Sequence, residues 1–166
     1  MFSVRPLVAV RAFWASLRDN ALPRGELARG LRAIEAGRFE EAQAALQIAL
    51  AEASDGPDRA LVHNKLGVAY VAARRRDDAL EAFAEALVCD PACAPALTNV
   101  GNLLLEDGHL EDAIDHYDAA IVANDRYALA YRNLGIALRR AGRRDASVSA
   151  LRKADRLEAR PLRRRA

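Results

Sequence analysis

The sequence predicts an all-α fold in which one helical unit is repeated along the chain. Three observations carry this reading. Gly67, Gly101 and Gly135 recur at a fixed interval (101 − 67 = 34 and 135 − 101 = 34), and Ala86, Ala120 and Ala154 keep the same interval. Glycines recur between the apolar segments, at Gly37, Gly108 and Gly142. No stretch shows the two-residue alternation of a half-buried strand.

The elements follow in chain order. Residues 1–22 precede the repeats, and within them RPLVAVRAFWASLRD (5–19) sets Leu7, Val10, Trp14 and Leu17 on one helical stripe. The predicted amphipathic helix has two readings. One is a cap over the apolar edge of the first unit. The other is a targeting or membrane-surface element, since the segment 1–18 holds Arg5, Arg11 and Arg18 and no acid. A degenerate copy runs over 23–56, with Gly30, Gly37, Ala42, Leu46 and Ala49. Its spacing to the next copy is 67 − 30 = 37, so three residues are inserted, expected within Ser54-Asp55-Gly56-Pro57-Asp58. Clearer copies span 60–93, 94–127 and 128–161, and a basic tail, 162–166, closes the chain.

Steric reasons support these marks. Small residues at recurring helix positions let two helices approach closely where larger ones would clash, and Tyr70, Phe83 and Tyr117 are expected to fill the spaces beside them. Gly37, Gly108 and Gly142 stand where each first helix should end in a left-handed residue, and Arg74 stands there in unit 60–93, whose turn should be more strained or differently shaped. Asp90-Pro91 should close that unit, with Asp90 capping the next helix.

In unit 60–93 the order Leu66-Gly67, Tyr70, Ala79, Phe83, Ala86, Pro91 resembles the tetratricopeptide repeat (TPR) signature at almost every diagnostic place. Units 94–127 and 128–161 depart from it with Asp125 and Ala159 in place of the closing proline and Ser147 in place of alanine. The resemblance implies antiparallel helix pairs stacked into a right-handed solenoid whose first helices line a concave groove, and it implies a non-enzymatic adaptor that holds a segment of another protein. The groove places it implies are Asn64, Lys65 and Val68, then Thr98, Asn99 and Asn102, then Arg132, Asn133, Ile136, Arg139 and Arg140. Asn99 and Asn133 resemble the asparagine ladder in the TPR region of O-GlcNAc transferases, where an amide offers a donor and an acceptor to a peptide backbone. The same asparagines could instead bond between adjacent units. The chain departs from the chaperone-type carboxylate clamp, because Val68, Leu129 and Asn133 stand where that clamp needs polar or basic groups. Capture of a free C-terminus is therefore not expected.

Charge is segregated although the net is only +2. Residues 1–76 hold 12 basic and 8 acidic side chains, 77–125 hold 0 and 12, and 126–166 hold 13 and 3. The acids Asp77, Asp78, Glu81 and Glu85, and then Glu111, Asp112, Asp115 and Asp118, fall on second helices, which the resemblance turns outward. They read as a solvated face, or as one side of a self-association through oppositely charged regions.

These observations also exclude classes of function. Arg11 and Arg18 interrupt the only N-terminal apolar run, well short of the ~18 residues a membrane span needs. Cys89 and Cys93 form neither a disulfide framework nor a zinc site, and a reducing, cytoplasmic setting is expected. His63, His109 and His116 share no ligand spacing, so no metal or other cofactor is expected. No nucleophile–base constellation, phosphate loop or paired-carboxylate signal argues for an enzyme. The expected partner is another protein offering an extended segment of acidic character. Membrane-surface contact and self-association are the further partner classes, with nucleic acid disfavoured. The alternative function is anionic-membrane or nucleic-acid association through the basic C-terminal third.

Overall fold

The computed structural model describes residues 25–54 and 56–159. The N-terminal amphipathic segment and the basic tail lie outside the described residues. Eight helices occur among them: α1 Gly25–Glu35, α2 Phe39–Glu52, α3 Pro57–Ala72, α4 Arg76–Cys89, α5 Ala94–Asp107, α6 Leu110–Ala123, α7 Ala128–Arg140 and α8 Arg144–Glu158. Each odd-numbered helix packs along the even-numbered helix that follows it, and the four pairs stack in chain order into a right-handed superhelix. Neighbouring first helices also lie against one another, α1 on α3, α3 on α5 and α5 on α7, closer than any two second helices do. The first helices therefore form the inner, concave side and the second helices the outer one.

Small residues set the spacing within each pair. A Cβ placed on Gly67 would stand 2.5 Å from the Phe83 ring, and one on Gly101 would stand 2.7 Å from Tyr117. Gly135 meets Leu151 and Gly30 meets Leu46 in the same way, each at 2.7 Å. The offset between glycine and partner never changes (83 − 67, 117 − 101, 151 − 135 and 46 − 30 all equal 16), so the degenerate first unit obeys the same packing rule as the clear ones. Phe83 and Tyr117 are the centres of two apolar clusters, and Leu103 of α5 reaches into the first of them. Tyr70 is only half-buried and lies under the Arg75 guanidinium, 4.8 Å from its ring centre.

The first-to-second-helix turns are left-handed in every pair, at Gly37 (φ 70°), Arg74 (φ 60°), Gly108 (φ 85°) and Gly142 (φ 78°). Of these four, Arg74 alone carries a Cβ into this region, where an L-residue costs roughly 1–2 kcal/mol. Arg74 is exposed. Arg74→Gly is expected to stabilise the protein by about 1 kcal/mol, the strain relieved being partly offset by the larger entropy of glycine in the unfolded chain. Chemical denaturation checks this, and an unchanged midpoint would mean that the turn relaxes without strain.

Two expectations need correction. Asp90 does not cap α5. Its Oδ1 accepts the Ala92 N–H at 3.0 Å, which shapes the turn, while Cys93 occupies the cap position without a side-chain bond. Asn124, at the matching place of the next unit, does the same for Arg126. The three inserted residues run past the expected 54–58 stretch, since each inter-unit connection leaves four residues between helices (53–56, 90–93, 124–127). They are Pro57-Asp58-Arg59, an additional first turn of α3, with proline at the helix start where its missing N–H costs nothing.

Arginines tie the pairs together at the C-terminal end of α5. Arg76 donates to the Leu103 carbonyl at 2.7 Å and also pairs with Asp107, while Arg140 donates to the Leu105 carbonyl at 2.8 Å. A helix C-terminus presents unsatisfied carbonyls and partial negative charge, so a cation from each neighbouring unit satisfies both.

Candidate partner-binding groove

The expected groove residues lie on α3, α5 and α7, whose matching positions recur with the period of the repeat. The structure divides the expected groove residues into two groups. Asn64, Lys65, Val68, Thr98, Asn99 and Asn133 are buried. Asn102, Arg132 and Ile136 are half-buried, and Arg139 and Arg140 are exposed at the end of α7.

The buried asparagines bond to one another. Asn99 Nδ2 donates to Asn64 Oδ1 at 2.9 Å, and Asn133 Nδ2 donates to Asn102 Oδ1 at 2.7 Å. Asn102 Oδ1 also accepts the Tyr117 hydroxyl at 2.9 Å. Burial pushes the Tyr117 phenol up from its ordinary range, so the hydroxyl stays a donor. Repeat position alone gives Tyr117 only the role of a filler. The signal for more is its hydroxyl, absent from Phe83 at the same repeat position, since a buried tyrosine usually reaches a polar partner. Asn64 Nδ2 and Thr98 Oγ1, which share one repeat position in successive units, are buried with no hydrogen-bond partner among the described residues.

The cations differ in what they are free to do. Arg132 forks onto Glu158, Nε to Oε1 at 3.2 Å and Nη2 to Oε2 at 2.5 Å, with Asp155 at 3.5 Å, and the Glu158 bond raises its already high pKa. Arg140 is held on the Leu105 carbonyl. Arg139 has no ion-pair or hydrogen-bond partner for its side chain among the described residues. Of the expected groove residues, those left accessible and uncommitted to an ion pair are thus a half-buried amide (Asn102), a half-buried aliphatic (Ile136) and an unengaged guanidinium (Arg139) on α5 and α7.

Four helix pairs, the last three at a common 34-residue period, a glycine facing the same later position in each, and first helices packed on one another are the features of one repeat family. The tetratricopeptide repeat model matches residues 27–94 and 100–161. The chain belongs to the tetratricopeptide repeat family. No match was found among curated proteins. Solved TPR structures are similar in fold. The crystal structure of MamA shares 23% identity at a TM-score of 0.64, covering 90% of this chain and 86% of MamA. YrrB, described as a TPR protein with an unusual peptide-binding site, shares 20% identity at a TM-score of 0.60, covering 80% of this chain and 67% of YrrB. The second TPR of Spaghetti, bound to the HSP90 peptide SRMEEVD, shares 20% identity at a TM-score of 0.56, covering 70% of this chain and 98% of that one. TPR arrays of this kind are interaction modules, which places the chain among protein-binding scaffolds. Among the described residues no helix is long and apolar enough to cross a membrane, and no group of three metal-ligating side chains occurs.

Proposed function

We propose that the protein is a non-enzymatic adaptor that holds an extended, acidic segment of a partner protein along the α5–α7 part of its concave groove. The proposal rests on the exposed, unengaged Arg139, which follows the half-buried Ile136 by one turn of α7. A cation already paired would exchange one carboxylate for another with little gain, as Arg132 would with Glu158. Arg139 has no such exchange to make. Ile136 supplies apolar contact and Asn102 an amide within reach of an extended backbone. Asn99 and Asn133 act mainly as the wall, because their amide N–H groups hold Asn64 and Asn102. That two similar folds are described with peptide sites, one with the acidic peptide SRMEEVD, supports a peptide partner.

The test is selection of linear peptides from a displayed library against the intact protein, followed by titration of a selected peptide. Acidic, extended sequences are expected. Arg139→Glu should weaken the selected peptide by about 10-fold at low ionic strength and much less in high salt, because surface charge pairs are screened. Asn99→Ala and Asn133→Ala should lower the melting temperature as well as affinity. Equal binding of the peptide to the parent and to folded Arg139→Glu at low salt would remove the groove from consideration.

A further inference from the structure

The outer face carries a second arrangement that the groove reading does not use. On α6, Asp115, Asp118 and Val122 point to solvent, Val122 with 87% of its surface exposed. On α8, Arg152 and Arg156 are exposed, as is Val148 at 46%. Among the described residues none of these four charges has an ion-pair partner. Val122 thus adds an exposed apolar group one turn from Asp118 on the acidic side of α6. The Asp118 carboxyl is pushed up by its partial burial and by Asp115, so the acids also repel one another.

The repeat supplies the complement. Asp118 and Arg152 occupy the same position in successive units (118 + 34 = 152), and so do Val122 and Arg156 (122 + 34 = 156). The second helices of successive pairs run in the same direction, so α6 and α8 present these positions at equal height. We propose that this face docks a second copy of the chain. A two-fold axis parallel to the helices and between α6 and α8 lays α6 of one protomer on α8 of the other, twice. Asp118 then meets the other copy's Arg152 in both halves of the contact, with Asp115 one turn away, and the aliphatic stem of Arg156 covers Val122. No other neighbouring pair of second helices offers the match. Position 84 on α4 is alanine, and position 47 on α2 is glutamine, so neither gives an opposite charge to Asp118 or Arg152 at that height. The outward curvature limits the contact to two helices a side, each about 21 Å long. Such a contact falls at the low end of the size range of specific interfaces, so the dimer is weak and sensitive to salt.

Sedimentation equilibrium of the intact protein, at concentrations up to about 200 µM, tests this. The parent is expected to dimerise at low ionic strength and to dissociate in high salt. Asp118→Arg and Arg152→Glu should each weaken dimerisation by at least about 10-fold, since each reversal acts at both symmetric contacts. The combined variant Asp118→Arg/Arg152→Glu should recover most of the loss, and an equimolar mixture of the two single variants should form a heterodimer. Arg139→Glu, in the groove, should leave dimerisation unchanged. A parent that stays monomeric at low salt overturns the proposal. So does a dimer indifferent to the single reversals, or a combined variant as weak as the singles.

Discussion

Gly101→Leu is expected to destabilise the protein by about 2–4 kcal/mol, among the largest effects of any single substitution outside the described turns. Even a single added carbon would stand 2.7 Å from the Tyr117 ring, and Tyr117 cannot retreat. It is fully buried among Ala113, Ile114, Leu134 and Leu138, and its hydroxyl is tied to Asn102, which in turn holds Asn133. The added side chain must therefore push α5 from α6 or expel the ring, and either breaks the hydrogen-bonded link between α5 and α7 on the inner face. Thermal or chemical denaturation measures the loss. Gly108→Ala offers a contrast. A Cβ there meets nothing within 4 Å, so its penalty is confined to the left-handed backbone and should be about 1 kcal/mol. Equal stabilities for Gly101→Leu and the parent would mean that the α5–α6 packing is assigned wrongly.

Ala120→Glu is the second large effect, about 3–5 kcal/mol, through a buried charge with no partner. Ala120 is completely inaccessible and lies among Ala94, Tyr127, Leu129 and Ala130, where α6 meets the start of α7. A carboxylate in that cluster loses its hydration and meets no cation, so it either stays protonated or separates the two units. Where the carboxyl stays buried, the variant should be more stable at pH 5 than at pH 7. The sign follows from linkage: a folded-state pKa raised by burial makes the native form bind the proton more tightly, so stability falls as pH rises past the unfolded value. Glu111→Gln is the control. Glu111 is well exposed and pairs with Arg143 at 2.7 Å on the surface, and its loss should change stability by less than about 1 kcal/mol.

The roles of particular residues show what can be read in advance. Gly67, Gly101 and Gly135 are legible because repetition exposes a steric requirement: a position that must stay small in every unit stands out at a fixed interval. The left-handed turns at Gly37, Gly108 and Gly142, and the exception at Arg74, are legible for a related reason, since the backbone conformation is local and only glycine adopts it freely. The outward setting of Asp77, Glu81, Glu85 and Asp115 is what the family resemblance implies, and all four are exposed. Asp90 defeats a sequence reading because a short acidic side chain can bond either the turn or the helix start, and the choice depends on one or two dihedral angles.

The groove is less legible. Repeat position identifies the helix and its inner face, but Asn64 and Asn99 can be recognised as a buried pair only when α3 and α5 are placed side by side. Likewise, Arg132, Arg139 and Arg140 look equivalent in the sequence. Arg132 meets Glu158 across the pair, Arg140 meets a carbonyl of the preceding unit and Arg139 meets neither. The sequence by itself determined the helix pairs, their spacing, their turns and the sign of charge on each third of the chain, because these depend on residue size, backbone preference and composition within one repeat. Only the tertiary structure decided which polar groups are consumed between units and which are left for a partner, because a hydrogen bond or ion pair is settled at the scale of an ångström between residues far apart in the chain, and no local pattern encodes that distance.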